Sequence, residues 1–245
     1  MQAQPAPAGY FSNSLTFPHS RAQRRMSTPA PPLATAATMG KPVAGLALRE
    51  RNKLDKRERI RSAAAELFRS EGYASATLRD IARDAGVGLG TLFNYAADKR
   101  DLVFLIFNED LGALTDQALA APPAAGGLLE ELTVIFRAHY RFFAARPALA
   151  RILLQELTFY SEGKHATEFH AIRQRLIDGI ARRVAAAQTA GLLGHSEPPE
   201  LIARLLFFVY SASVRWWIAA PEPQAEQGVA ELRRLLQLQM DGLAA

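Results

Sequence analysis

The side chains whose types and spacing best suit a chemical task lie in the segment Thr77–Tyr95. Gly90 and Asn94 stand four residues apart there, and a second pair with the same spacing is formed by Thr91 and Tyr95. Residues four apart share one face of a helix. Hydroxyl and amide groups on such a face form hydrogen bonds with phosphates and base edges. The chemistry that this segment predicts is therefore recognition of a nucleic acid.

Two short helices hinged at Gly86 would present that face. The first opens at Thr77, whose hydroxyl can cap free backbone N–H groups, with an acidic residue three positions later. Gly86 supplies the positive φ of a tight turn. The second helix starts after Gly88 and turns Leu92 and Ala96 inward. Because a short helix held out by a packed neighbour fits the major groove, we expect a helix-turn-helix over residues 77–96.

A longer helix precedes this pair and runs from about Lys53 to Ser70. Its apolar residues recur at i, i+4, i+7 and i+8 and form one stripe on a charged cylinder: Ile60, Ala64, Leu67 and Phe68. Gly72 follows as a C-terminal stop. The three helices together predict a small N-terminal bundle.

The positive charge of the chain lies with this bundle. Residues 1–101 hold 16 Lys and Arg against 9 Asp and Glu, whereas residues 102–245 hold 13 against 15. A basic N-terminal part on a nearly neutral body is typical of a protein that binds phosphates. The hydrophobic content of 49% is ordinary for a packed protein.

Five stretches of the sequence carry a resemblance to a known family: Ile60–Tyr73, Thr77–Ala82, Ala85–Val87, Gly90–Tyr95 and Asp98–Leu102. They resemble the N-terminal domain of TetR-family transcriptional regulators. The match covers about residues 53–103, which we take as the DNA-binding domain, and residues 104–245 then form an all-helical regulatory and dimerisation domain.

The resemblance implies contacts with double-stranded DNA for nine residues: Thr77, Arg79, Leu89, Gly90, Thr91, Phe93, Asn94, Tyr95 and Lys99. Thr77 and its helix N-terminus would meet a phosphate, and Lys99 would hold another. Asn94 can pair bidentately with adenine, and Leu89 can contact a thymine methyl group.

The sequence departs from the family at two places. Phe93 stands where tyrosine is usual, so one hydroxyl-to-phosphate bond is missing. Ala96 and Ala97 replace the bulky residue that commonly follows the reading helix, so that helix can pack or tilt differently.

The rest of the chain alternates helical stripes with short breaks, which predicts an all-α protein. The expected helices span about residues 102–120, 128–145, 147–159, 168–189, 199–220 and 225–243. The helix at 199–220 is apolar nearly all round, which favours burial on more than one side. A membrane span is the alternative, but Arg204 and Arg215 interrupt it and we expect none. With the last helix it would form a four-helix homodimer interface, as in the family.

Family members commonly bind a small molecule within this body, and the ligand moves the two reading helices out of register. Aromatic residues of the body suggest a pocket for a small lipophilic or aromatic effector: Phe136, His139, Tyr140, Phe143, Phe159, Tyr210 and Trp216. We therefore expect a repressor released from a palindromic operator by a small molecule. The alternatives are a helix-turn-helix activator and an interaction protein without an inducer.

An enzyme is the rival class, and we expect none. The sequence shows no nucleophile elbow, phosphate-binding glycine loop or His-Glu-x-x-His pattern. Glu162, His165, Glu168 and His170 cluster without the spacing of a standard metal site, so we predict neither a metal nor a cofactor there.

Residues 1–48 are rich in Ala, Pro and Ser and show no secretory signal, which predicts a disordered tail. Translation from Met39 is a further possibility, because a chain starting there would begin shortly before the first helix. The absence of cysteine permits an intracellular home. With DNA as partner, we expect the protein in the cytoplasm, associated with the nucleoid.

Overall fold

The computed structural model describes residues 48–122, 125–194 and 196–243. These residues form nine α-helices and one 3-10 turn and no β-strand, so the predicted all-α fold is confirmed. The elements are α1 (Leu48–Ser70), α2 (Leu78–Asp84), α3 (Leu89–Leu92), α4 (Lys99–Ala120), α5 (Gly127–Ala145), α6 (Pro147–Glu156), the 3-10 turn (Leu157–Phe159), α7 (Ala166–Thr189), α8 (Pro199–Ile218) and α9 (Ala225–Gly242). The predicted tail up to residue 47, with Met39, lies outside the described residues.

Helix α1 begins at Leu48, five residues before the predicted start at Lys53. The added residues are mostly Arg and Glu, which favour helix, and Asp55 pairs with Arg59 one turn later at 3.1 Å. The predicted apolar stripe is buried, as Ile60, Ala64, Leu67 and Phe68. Gly72 follows with φ of 85°.

The turn between α2 and α3 is made as the sequence predicts. Gly86 has φ of 63°, and the Arg59 guanidinium donates to the carbonyl of Ala85 at 3.0 Å. Helix α3 is shorter than predicted and ends at Leu92. Beyond Leu92 the chain continues in a 3-10-like turn, because the backbone N–H groups of Asn94 and Tyr95 donate to carbonyls three residues back.

Helix α4 joins the N-terminal bundle to the body. Every side chain from Asp101 to Asn108 is buried, and the helix packs against α1, α5, α6 and α7. A helix without a solvent face in this stretch has protein on all sides. Helix α4 therefore connects the bundle to the body through buried contacts.

The body is built from pairs of packed helices. Helix α5 packs against α9, and α7 packs against α8. The predicted helix at 147–159 ends earlier, at Glu156, and continues as the 3-10 turn. The other predicted helices lie within a few residues of α4, α5, α7, α8 and α9.

Helix α8 is long and apolar enough to cross a membrane by length and composition, a test that the core helix of a soluble protein also passes. It packs against α5, α6, α7 and α9. Its opposite face leaves a stripe of large apolar side chains exposed, namely Leu201, Leu205, Phe208 and Trp216.

Candidate nucleic-acid interface and candidate ligand cavity

Thr77 is the N-cap of α2. Its hydroxyl accepts a hydrogen bond from the Asp80 backbone N–H at 3.2 Å and donates to the Asp80 carboxylate at 2.5 Å. The hydrogen bond from the Thr77 hydroxyl to the Asp80 carboxylate, together with the charge of Arg83, holds the pKa of Asp80 below its usual value. Arg79 is exposed and forms no ion pair with the described residues. The start of α2 is thus capped, and within the described part of the chain Arg79 is its unpaired cation.

The exposed face of α3 and the following turn consists of Gly90, Phe93 and Asn94. A Cβ atom built on Gly90 would meet nothing within 4 Å, so another body can approach its backbone closely. Leu89 and Thr91 are half-buried, and Leu89 packs against the core. Leu92 and Ala96 are fully buried, as predicted. The bundle therefore holds this face rigidly towards solvent.

The two remaining predicted DNA contacts are partly engaged within the protein. The Tyr95 hydroxyl donates to the backbone carbonyl of Lys53 at 3.2 Å. The Lys99 ammonium donates to the carbonyls of Tyr73 at 2.8 Å and Ala74 at 3.0 Å. Since an ammonium has three donors, one N–H of Lys99 stays available for a phosphate.

The hydrogen bond between Tyr95 and Lys53 brings the first turns of α1 next to α3 and the turn that follows it. Four exposed cations lie there without an ion pair to the described residues: Arg49, Arg51, Lys53 and Lys56. They were not among the predicted DNA contacts. The density of Lys and Arg before residue 58 could have indicated them.

A cavity of about 280 Å³ lies in the body between α4, α5, α6, α7 and α8. Its apolar wall comes mainly from Leu111, Phe143, Leu153, Leu154, Leu157, Phe169, Ile172, Leu176, Phe207, Phe208 and Val214. Its polar groups are Thr115, His139, Thr158, Arg173, Tyr210, Ser211 and Arg215. The lining holds two guanidinium groups and no carboxylate. The Arg215 guanidinium donates to Ser211 Oγ at 2.7 Å and to the carbonyls of Ser211 at 3.2 Å and Leu154 at 3.4 Å.

His139 and Thr115 form the most buried polar pair of this wall. The His139 ring nitrogens lie 3.0 Å from the Ile135 carbonyl and 3.2 Å from Thr115 Oγ1. Thr115 also donates to the Leu111 carbonyl at 2.7 Å. Burial lowers the pKa of His139, which keeps the ring neutral near pH 7.

The structure brings three of the seven predicted ligand residues to the cavity: His139, Phe143 and Tyr210. Phe136 and Tyr140 are fully buried; Phe136 stacks on Tyr210 with ring centroids 4.3 Å apart. Phe159 and Trp216 are 81% and 77% exposed and lie outside the cavity lining.

Thr115, Arg173 and Arg215 also line the cavity and were not predicted from the sequence. The two arginines are single charges on largely apolar helix stripes. Such a single charge on an apolar stripe could have indicated the two arginines from the sequence.

The residues around His165 serve a structural purpose. His165 Nε2 lies 2.9 Å from the carbonyl of Tyr95, and Asn108 donates to the carbonyl of His165 at 3.0 Å and to Glu168 at 3.3 Å. No group of three or more His, Cys, Asp or Glu that could hold a metal ion is found in the described part of the chain.

The fold and these two sites define an all-helical protein with an N-terminal helix-turn-helix and a ligand-sized cavity in its body. Two family profiles match it: "Bacterial regulatory proteins, tetR family" over residues 60–106 and "Tetracyclin repressor-like, C-terminal domain" over residues 126–241. The chain belongs to the TetR family of transcriptional regulators.

Similar proteins agree with this assignment. The chain is 34% identical over 67 residues to an HTH-type transcriptional regulator of Staphylococcus aureus (strain bovine RF122 / ET3-1), covering 27% of this chain and 36% of the relative. It is 29% identical over 137 residues to the regulator BetI of Rhizobium meliloti (strain 1021), covering 56% and 64%. The chain thus spans less than two thirds of the length of these curated relatives.

Among solved structures, the chain is similar to the FadR repressor of Thermus thermophilus, described as a TetR family repressor in complex with lauroyl-CoA. The TM-score is 0.57 with 27% sequence identity, over 74% of this chain and 93% of that chain.

Proposed function

We propose that this protein is a sequence-specific DNA-binding repressor that a small molecule releases from a palindromic operator. The observation that carries the proposal is the exposed face of Gly90, Phe93 and Asn94, held by a packed bundle in a chain of a regulator family. DNA binding would place the protein at the nucleoid in the cytoplasm.

The proposed DNA contacts divide into reading and positioning groups. Asn94 reads a base edge, Gly90 lets the backbone approach the groove, and Leu89 offers its exposed part to a thymine methyl group. The positioning groups are Thr77, Arg79, Thr91, Phe93, Tyr95 and Lys99, and the exposed cations of α1 add attraction to phosphates.

We further propose a homodimer through α8 and α9. The exposed stripe of α8 carries Phe208 and Trp216, which are 62% and 77% exposed, and α9 adds Leu235 and Leu238. A two-fold axis through this surface would bury it against a second copy and form a four-helix interface. Two reading helices related by such an axis require an operator with two-fold symmetry.

The proposed effector is an amphipathic molecule with an apolar chain and an anionic head group. The similar repressor of Thermus thermophilus is bound to lauroyl-CoA, and a fatty acyl-CoA has this chemistry. The cavity of about 280 Å³ lies near the lower end of the range for ligand pockets, roughly 300–1,000 Å³. It would hold the acyl chain, while the head group would lie near Arg173 and Arg215.

Selection of binding sites from random duplex DNA by the full chain tests the DNA proposal. We expect enrichment of a palindrome whose half-site centres are about 10 base pairs apart, or a multiple of that. Failure to enrich any sequence over a basic control protein would refute it.

Lauroyl-CoA titrated onto the protein–operator complex tests the effector proposal. We expect release, and we expect Ser211→Trp, which places an indole at the cavity wall, to block release but not operator binding. Ala186→Trp on an exposed position of α7 is the matched control. Operator binding that lauroyl-CoA leaves unchanged would refute this effector class.

A further inference from the structure

The Asp101 carboxylate lies in the first turn of α4 and is only 1% exposed. One of its oxygens accepts hydrogen bonds from the backbone N–H groups of Ala97 at 2.8 Å and Lys164 at 3.1 Å. The other accepts from the His165 backbone N–H at 3.3 Å and from the Tyr160 hydroxyl. We call Ala97, Asp101, Tyr160, Lys164 and His165 the Asp101 cluster.

The partners of this carboxylate come from two parts of the fold. Ala97 directly follows the buried end of the reading helix, whereas Lys164 and His165 immediately precede α7. Burial alone would raise the pKa of Asp101, but the bonds from Tyr160, Ala97, Lys164 and His165 hold it below its usual value. A buried carboxylate in this state keeps its charge near pH 7 and needs its donors in place.

A second contact runs parallel to the first. His165 Nε2 lies 2.9 Å from the carbonyl of Tyr95, two residues before Ala97. The carbonyl of His165 in turn accepts from the buried Asn108 amide at 3.0 Å. The start of α7 is therefore tied both to the end of the reading helix and to α4.

The opposite side of the Asp101 cluster touches the cavity wall. The Tyr160 ring stacks on Phe104 with centroids 3.6 Å apart and planes 4° from parallel. Phe104 meets the ring of Phe169, a cavity residue, edge-on at 4.9 Å. Leu157, which precedes Tyr160 by three residues, also lines the cavity. A ligand that displaces this wall would displace Tyr160.

We propose that the Asp101 cluster sets the orientation of the helix-turn-helix relative to the body, and that Tyr160 is the positioning residue through which the cavity acts on it. This inference rests on the proposed function, because it explains how an occupied cavity changes DNA binding. Release of the Tyr160 hydroxyl from Asp101 leaves a buried charge with one donor fewer, which destabilises the bonded arrangement. In this proposal an effector that binds better to the released arrangement shifts the protein towards it.

Tyr160→Phe in the full chain is the central test, because it removes one hydroxyl and keeps the stacked ring. The matched control is Thr133→Val, which also removes a buried hydroxyl, one that donates to the Leu129 carbonyl at 2.7 Å within α5 and lies outside the cavity lining. Asp101→Asn is the second variant. Amide hydrogen exchange is measured for the segments 95–102 and 160–168, and operator affinity is measured with a site selected from random DNA.

We expect Tyr160→Phe to speed exchange in both segments and to weaken operator binding, each by about tenfold, the size of one hydrogen bond to a charged group. Thr133→Val should leave both segments and the operator affinity at wild-type values. Exchange rates of Tyr160→Phe in the two segments that equal those of Thr133→Val would overturn the inference. If the wild type binds no specific DNA, the proposed function fails, whereas the exchange comparison still decides whether the cluster holds the two parts together.

Discussion

The Lys99 ammonium donates to the carbonyl of Tyr73 at 2.8 Å and lies 5.0 Å from the centre of the ring of the same tyrosine. A cation at the start of α4 therefore holds the loop before α2 in place. The same ammonium keeps one donor for the DNA backbone. Positioning of the loop and neutralisation of a phosphate are thus joined in one side chain.

Lys99→Ala should weaken binding to all DNA sequences alike, because a phosphate contact carries no sequence information. The slope of log Kobs against log salt should flatten by about 0.9, the value for one phosphate. Fluorescence anisotropy with the selected operator and a scrambled duplex at four salt concentrations measures both effects. Arg182→Ala, at an exposed position of α7, is the control. An unchanged salt slope in Lys99→Ala would show that this lysine serves the loop alone.

Asn94→Ala should act differently from Lys99→Ala, because an amide that pairs with a base edge discriminates between bases. We expect a loss of about 1–3 kcal/mol for the selected operator and little change for scrambled DNA. Competition assays with single-base operator variants should show relaxed preference at one position in each half-site. Equal losses on operator and scrambled DNA would assign Asn94 to the backbone instead.

More features of the N-terminal bundle than of the cavity could be predicted from the sequence. The stripe from Ile60 to Phe68, the Thr77 cap and the Gly86 turn are local features, so their spacing indicates them directly. A cavity is where packing is incomplete, and periodicity shows that Phe136 and Tyr210 are apolar-face residues without showing which one borders empty space. Phe159 illustrates the limit, because the helix expected to bury it ends at Glu156.

The Asp101 cluster lay beyond sequence reasoning for a related reason. Its carboxylate bonds to residues about 60 positions away, and those bonds depend on how α7 meets α4. Asp98 is the N-cap of α4, and its side chain accepts from the Asp101 N–H at 2.7 Å. Such a cap is a local contact, whereas the partners of the Asp101 carboxylate on the other side depend on tertiary packing.

Substitution of Gly86 should affect the stability of the fold, whereas substitution of Gly90 should affect DNA binding. Gly86→Ala should destabilise the protein, because its φ of 63° strains any side chain and a Cβ would lie 3.1 Å from the Arg59 guanidinium. The Cβ atom added by Gly90→Ala would meet no atom within 4 Å, so this substitution should stabilise the fold by up to about 1 kcal/mol. It should nevertheless weaken operator binding, since the methyl group blocks close backbone approach. Urea unfolding and anisotropy measure the two effects. Full operator affinity in Gly90→Ala would remove the close-approach argument.

His139 should make stability fall in mild acid. Burial lowers its pKa in the folded state, so below the unfolded value near 6.5 the unfolded chain binds a proton that the folded chain does not. Stability is then complete above about pH 6.5 and decreases as the pH falls below it, by at most about 1.4 kcal/mol per pH unit for this group. Urea unfolding at pH 5.5 and 7.5 tests it by comparing the wild type with His139→Gln. The difference in unfolding free energy between the two pH values should be smaller in the variant than in the wild type. An identical difference in both proteins would exclude His139 as its source.

The exposed face of α8 should form the dimer interface. Trp216 is 77% exposed on this face, and Phe159 is 81% exposed on the 3-10 turn. If α8 and α9 form the dimer, Trp216→Glu should cost about 2 kcal/mol for each of two copies, roughly a thousandfold in the dimer Kd. Phe159→Glu, an equally drastic change at an equally exposed aromatic residue, should leave the dimer intact. Sedimentation velocity at low micromolar concentration distinguishes them, and operator affinity should fall with the dimer, because each half-site binds one reading helix. A dimer lost in Phe159→Glu and kept in Trp216→Glu would move the interface from α8 to the surface around the 3-10 turn.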